Sequence, residues 1–186
     1  DEDDLGVFVE RGTPINPTLV LLVNIVKYGP DLGCSDSLVE AFKRELDAAH
    51  TNLSRAHRAG VMMLAGSDSG QSAVPYGEWH AQELECMMDY LGMSNMEAVI
   101  AGTRNAAFAL DMEDRIGTLE EGKLADILVV DGDPLHAITV LQDNDRLVFL
   151  MQRGAVIHTD TPQPAPPVDT RQRHATLWPA APRVPQ

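Results

Sequence analysis

Two short apolar stretches on either side of an amphipathic one restrict the fold more than any other feature. Residues 18–26 read TLVLLVNIV and residues 61–65 read VMMLA. Between them, apolar residues recur every three or four positions from Leu38 to Ala56, and Gly60 ends the pattern. Continuous apolarity suits strands that are covered on both faces. The pattern therefore predicts strand, helix and strand, the unit of α/β folds. A buried helix turn is the alternative for the first run, although that run is short and follows a proline.

Helix starts are indicated by two S-x-x-E sequences, in which a serine and a glutamate cap the first turn reciprocally. One is Ser37–Glu40 and the other is Ser94–Glu97. The second predicts a helix that runs to about Leu110. Helical spacing between them, from about Glu78 to Leu91, predicts a further helix.

The pattern of apolar and turn residues changes after Met112. Short β-type runs separated by turn residues predict a small β element, with a last hairpin at Arg153-Gly154. From Thr161 onward, 26 residues hold seven of the twelve prolines. Because proline is excluded from helix interiors and central strands, we expect an extended tail there.

Composition restricts partners and location. The net charge of −14 and the pI of about 4.6 argue against a nucleic-acid partner, because an acidic surface repels phosphates. The two cysteines do not form a C-x-x-C pair and are too few for a disulfide framework. No apolar run approaches the ~20 residues of a membrane helix, and no basic segment precedes an apolar one at the N-terminus. We therefore expect a cytoplasmic protein without a membrane segment.

A polar loop follows the second apolar run and carries the best candidate for chemistry. Residues 66–70 read G-S-D-S-G, and the C-terminal ends of parallel strands are where α/β folds place active sites. Asp68 is therefore the candidate catalytic carboxylate, with capping of a turn as the alternative. The loop is not a G-x-S-x-G nucleophile elbow, because Asp68 takes the central position.

Four further residues near this loop are candidates for substrate contact. Ser69 is adjacent to Asp68, and His80 follows Asp68 by twelve residues. His80 and Glu83 share a helix face at spacing i, i+3. They would contact substrate or bind a metal weakly, or they form a solvated helix start in which Glu83 favours the helix dipole. Tyr76 and Trp79 would line a pocket or simply pack.

Several segments resemble one known family, the amidohydrolase superfamily, and in particular its imidazolonepropionase-like and prolidase-like branch. Residues 60–70 resemble the last barrel strand of these enzymes, and residues 17–19 resemble the start of the seventh strand. Residues 97–107 resemble the helix after the eighth strand. Residues 115–127, RIGTLEEGKLADI, continued by residues 131–135, are similar to the point where these chains leave the barrel for a small β-sandwich.

The resemblance implies a fold and an activity. Residues 1–112 would be the last strand–helix units of a (β/α)₈ barrel, residues 113–160 part of a small β-sandwich, and residues 161–186 the proline-rich tail. The activity would be metal-dependent hydrolysis of an amide or other C–N bond in a small or dipeptide-like substrate. One or two divalent ions, with zinc expected, would be bound. Asp68 would be both a metal ligand and the general base.

The chain also departs from the family pattern. The family's H-x-H is absent from the 186 residues, as is the region that resembles the first six strands. One aspartate cannot supply the three or four ligands of a hydrolytic site. We therefore expect a second chain that carries the rest of the barrel, a homo-oligomer, or both. The competing hypothesis is a non-catalytic assembly or regulatory subunit, or a truncated remnant.

Overall fold

The computed structural model describes residues 2–70, 73–75 and 80–157, with side chains from Leu5 onward. The predictions for Tyr76, Trp79 and the proline-rich tail lie outside these residues. The six described helices are α1 (Glu2–Arg11), α2 (Val20–Tyr28), α3 (Asp36–Arg58), α4 (His80–Leu91), α5 (Asn95–Gly102) and α6 (Arg104–Ala109). The three described strands are β1 (Ile127–Val130), β2 (Leu147–Gln152) and β3 (Ala155–Ile157), and two 3₁₀ turns, Ile138–Gln142 and Asn144–Arg146, lie between β1 and β2.

A parallel pairing between Ile15 and Met63 brings together two extended segments of the first 110 residues. The Ile15 N–H donates to the Met62 carbonyl, and the Leu64 N–H donates to the Ile15 carbonyl, both at 2.9 Å. Helices α2 and α3 connect the two extended segments. The two segments pair in parallel at this single bridge, and the second of them lies within the VMMLA run that predicts a strand.

The prediction of a strand at residues 18–26 is wrong, because this run forms helix α2. An apolar run of nine residues fits a buried helix as well as a strand, and periodicity alone cannot separate them. The extended residue is Ile15, within the stretch 13–17 that its two prolines mark as a break. Residues 17–19 therefore follow the paired strand rather than begin it, and Thr18 has a left-handed backbone with φ of 53°.

The first predicted capping box does not form. Helix α3 begins after Ser35, whose hydroxyl accepts a hydrogen bond from the Leu38 N–H at 3.3 Å. Ser37 lies inside the helix, with its hydroxyl 3.0 Å from that of Ser35. Either serine has a hydroxyl that suits a cap, and the sequence alone favoured the one three residues before a glutamate.

The second predicted capping box is confirmed. The Ser94 hydroxyl accepts from the Glu97 N–H at 3.3 Å, and the Glu97 carboxylate accepts from the Ser94 N–H at 2.8 Å. The predicted continuous helix to Leu110 is broken at Thr103, whose φ of −126° and ψ of −87° are not helical. Two shorter helices, α5 and α6, result.

The main core lies between α2, α3, α4 and the paired segments. Its buried members are Leu19, Val20, Leu46, Ala56, Val61, Met63, Val74, Cys86, Met87, Leu91, Met93 and Ala101. The far edge of the second extended segment is covered by α5 and α6. The Ala65 N–H donates to the Ala101 carbonyl at 3.2 Å, and the Asn105 amide donates to the Met63 carbonyl at 2.9 Å.

The predicted β element is an antiparallel sheet in the order β1-β2-β3. The predicted hairpin is confirmed, with Arg153 and Gly154 at positive φ in its turn. A second sheet, which a β-sandwich needs, is not found among the described residues. The Asn95 amide joins this element to α5 by donating to the Leu135 carbonyl at 2.8 Å.

Among the described residues, no helix combines the length and apolarity that crossing a membrane requires.

Two glycines of the R-I-G-T-L-E-E-G-K segment give a matched test of this packing. Gly117 and Gly122 have nearly equal φ values of 90° and 91°. A methyl group on Gly117 would lie 2.6 Å from the Ala107 Cβ and 3.1 Å from the Thr103 carbonyl oxygen, whereas Gly122 faces open space. We expect Gly122→Ala to lower the free energy of unfolding by about 1–2 kcal/mol through backbone strain. Gly117→Ala should cost about 1–3 kcal/mol more, because it adds overpacking. Equal shifts of the urea midpoint would contradict this packing.

Candidate active site

Asp68 lies just beyond the C-terminal end of the second paired segment. Its side chain is exposed, and its backbone is left-handed with φ of 48°. Aspartate adopts this conformation more readily than most residues, and residues held in it recur at functional sites. The local geometry therefore presents a carboxylate to solvent at the edge where α/β folds place chemistry.

A side chain from the first extended segment reaches the same edge. Asn16 follows Ile15, and its amide nitrogen would lie 2.4 Å from a methyl group added to Gly66. A larger residue at position 66 would require the Asn16 side chain to move. Gly66 thus allows the two strand ends to approach each other, immediately before the loop that carries Asp68.

The loop after Asp68 turns back into the core. The Gly70 N–H donates to the Val74 carbonyl at 2.7 Å, and Ala73 and Val74 are fully buried. The Asn24 side chain of α2 donates to the Ala73 carbonyl at 2.9 Å. This return path anchors the loop against α2 while Asp68 stays exposed and Ser69 half-buried.

His80 is the first residue of α4, close to the helix start predicted at about Glu78, and its ring contacts the loop. The His80 Nδ1 lies 2.8 Å from the hydroxyl of Ser67. Ser67 is buried, while His80 is exposed. The structure therefore brings His80 to the G-S-D-S-G loop, through a residue next to Asp68 rather than through Asp68 itself.

Glu83 occupies a different environment from the one expected. Its side chain is fully buried, and its two oxygens accept hydrogen bonds from the N–H groups of Leu19 at 2.9 Å and Val20 at 2.7 Å. These N–H groups open α2, which has no side-chain cap of its own. A carboxylate is favoured at this end of a helix by the exposed N–H groups and the helix dipole. The expectation of a solvated Glu83 is wrong, and its position gives no support to a role in substrate or metal binding.

Burial raises the pKa of Glu83 to about 7, from an ordinary value of 4.5. The backbone N–H groups of Leu19, Val20 and Thr18 act in the opposite direction, because they stabilise the ionised form. A signal for this burial exists in the sequence. Glu83 precedes Met87 and Leu91 by four and eight residues, so it lies on the same buried stripe of α4.

Metal binding would require ligands from beyond this part of the chain. Within residues 2–70, 73–75 and 80–157, no three histidine, cysteine or acidic side chains lie together to bind an ion. Asp68 fits as one ligand, because its carboxylate is exposed at a strand end. A zinc site takes three or four protein ligands. The described residues therefore do not by themselves complete such a site.

Comparison with known proteins identifies the family. The model described as "Amidohydrolase family" matches residues 3–159 of the chain. The chain belongs to the amidohydrolase family. The resemblance predicted from the sequence segments is thereby confirmed.

Individual relatives agree with this family. The chain is 31% identical over 117 residues to an imidazolonepropionase of Haloarcula marismortui, covering 62% of the chain and 27% of that protein. It is 36% identical over 92 residues to an imidazolonepropionase of Symbiobacterium thermophilum, covering 49% of the chain and 21% of that protein. A prolidase solved with N-methylphosphonate-L-proline matches at 30% identity and a TM-score of 0.69, covering 84% of the chain and 38% of the prolidase. The chain thus spans between a fifth and two fifths of each of these proteins.

The buried carboxylate gives a pH-dependent prediction. A folded pKa of about 7 against an ordinary 4.5 means that the folded state holds the Glu83 proton more tightly than the unfolded state. The contribution of Glu83 to stability is therefore full below pH 4.5 and is lost as the pH rises through 7. We expect wild type to lose on the order of 3 kcal/mol over this range relative to Glu83→Gln. Urea unfolding of both proteins at several pH values measures the difference, and parallel pH profiles would contradict it.

Proposed function

We propose that this amidohydrolase-family chain is the part of a metal-dependent hydrolase that supplies Asp68 to the active site. The reaction is hydrolysis of an amide or another C–N bond in a small molecule. One observation carries the proposal: an exposed aspartate with a left-handed backbone follows an extended segment that pairs in parallel with another through Met63 and Ile15. Membership of the amidohydrolase family supports a catalytic role for an aspartate at that position.

The relatives support a small substrate. They include proteins named imidazolonepropionase and a prolidase solved with a proline derivative. We propose a dipeptide-like or similarly small compound for this protein. His80, Ser69, Tyr76 and Trp79 are the proposed substrate-binding residues, and the first two lie beside or within the G-S-D-S-G loop.

Asp68 has two tasks in this mechanism. Its carboxylate would hold the divalent cation, together with ligands from outside the described residues, and it would accept a proton from the attacking water. Asp68 then delivers that proton to the leaving nitrogen, which departs as an amine. One or two zinc ions are the expected cofactor, and when bound they supply Lewis-acid polarisation of the water and the scissile carbonyl. The loop anchors at Ser67, Gly70 and Ala73 fix where Asp68 stands.

We propose that the missing ligands come from a polypeptide segment that bears the H-x-H, in another chain or elsewhere in a longer one. Apolar surface on α1 supports such a contact, since Val7 and Val9 are each 45% exposed. A groove beside them is lined by Leu5, Gly6, Val9, Glu10, Arg55, Arg58 and Ala59.

The free thiols Cys34 and Cys86 support a cytoplasmic location.

Denaturing mass spectrometry of natively purified material tests this assembly. The proposal expects an H-x-H sequence, either in the same polypeptide or in one that co-purifies at a fixed ratio. A folded 186-residue chain found alone, with no such sequence, would favour the non-catalytic assembly or regulatory role.

Asp68→Asn tests the catalytic role directly. Asparagine tolerates the same left-handed backbone but cannot accept the proton, so we expect kcat to fall by about 10²–10⁴ in the complete enzyme. Asp111→Asn is the matched control, because Asp111 is also exposed and left-handed, with φ of 54°, beyond the end of α6. The control should keep wild-type turnover. Near-normal turnover in Asp68→Asn would remove Asp68 from the mechanism.

A further inference from the structure

The contact between Ser67 and His80 joins a buried group to an exposed one. The Ser67 side chain is 6% exposed. Its hydroxyl oxygen lies 2.8 Å from Nδ1 of His80, which is an exposed residue. One ring nitrogen is therefore engaged by the loop, and Nε2 is the other ring atom that can bind a ligand.

The burial of Ser67 favours one direction for this hydrogen bond. A buried hydroxyl hydrogen needs an acceptor. Among the described residues, the hydrogen bond recorded for the Ser67 hydroxyl is the one to His80. If Nδ1–H were the donor, the hydroxyl hydrogen would have no described acceptor. The burial therefore favours Ser67 as the donor to Nδ1, in which case a neutral His80 carries its proton on Nε2.

We propose that Ser67 is a positioning residue that holds His80 in the Nε2–H form, so that His80 donates a hydrogen bond to an oxygen of the substrate. This inference rests on the proposed hydrolase function and assigns the donor within it. Two consecutive loop residues then have complementary tasks. Asp68 accepts a proton, and Ser67 orients His80, which donates a hydrogen bond. An Nε2–H cannot ligate a cation, so the arrangement also removes His80 from the metal ligands.

The tautomer can be measured without any substrate. In the intact protein labelled with ¹⁵N-histidine, long-range ¹H–¹⁵N spectra distinguish a protonated ring nitrogen from an unprotonated one, and His80→Gln identifies the signal. We expect Nε2 protonated and Nδ1 unprotonated in wild type. Ser67→Ala should shift the His80 signals toward the mixture of an unrestrained ring, and Ser67→Thr, which keeps the hydroxyl, should restore them. Ser54→Ala removes a buried hydroxyl elsewhere, on α3, and should leave the His80 signals unchanged. A wild-type His80 protonated on Nδ1 would overturn the proposal.

Kinetics test the consequence for the substrate. Loss of one neutral hydrogen bond corresponds to about tenfold in KM. Ser67→Ala and His80→Gln should each raise KM by about this factor with a smaller change in kcat. The double variant should resemble His80→Gln alone, because Ser67 acts through His80. Additive losses, or a fall in kcat at unchanged KM, would overturn the positioning role. If no C–N bond substrate is turned over, the hydrolase proposal fails, while the tautomer measurement still decides the role of Ser67.

Discussion

The buried carboxylate of Glu83 is the interaction on which the rest of the arrangement depends. It comes from the helix that follows the second paired segment, and it holds the N-terminus of the helix that follows the first. Burying a carboxylate is costly unless its oxygens are satisfied. Here two N–H groups that would themselves be orphaned without it offset part of the cost, and the raised pKa of Glu83 reflects the part that remains. The two strand–helix units are thereby joined at the end where the candidate site lies.

The candidate site follows from that junction. With α4 fixed, its first residue, His80, stands beside Ser67, and the loop carrying Asp68 is anchored at both ends. Asn24 secures the return path of the loop to α2. The result is an exposed carboxylate on a restrained backbone, with a histidine close to its loop. Restraint of this kind is what positions a proton acceptor for catalysis, whereas the open surface leaves room for the ligands that the described residues lack.

Much of this could be predicted from the sequence where the signal is local. The polar loop after an apolar run located Asp68, the S-x-x-E at Ser94 capped α5, and Arg153-Gly154 made the last hairpin. The strand at residues 18–26 failed, because a short apolar run has the same composition in a buried helix. The roles of Glu83 and Ser67 depend on contacts 64 and 13 residues apart. Only the spacing of Glu83 from Met87 and Leu91 indicated that this carboxylate is buried.

The most direct measurement of the central claim is anomalous X-ray scattering from crystals of the intact protein loaded with zinc. The account predicts a zinc peak about 2.0–2.2 Å from a carboxylate oxygen of Asp68, the distance of a zinc–carboxylate bond. The remaining ligands should come from residues beyond those described for this chain. Zinc bound elsewhere, with the Asp68 carboxylate free in solvent, would contradict the account.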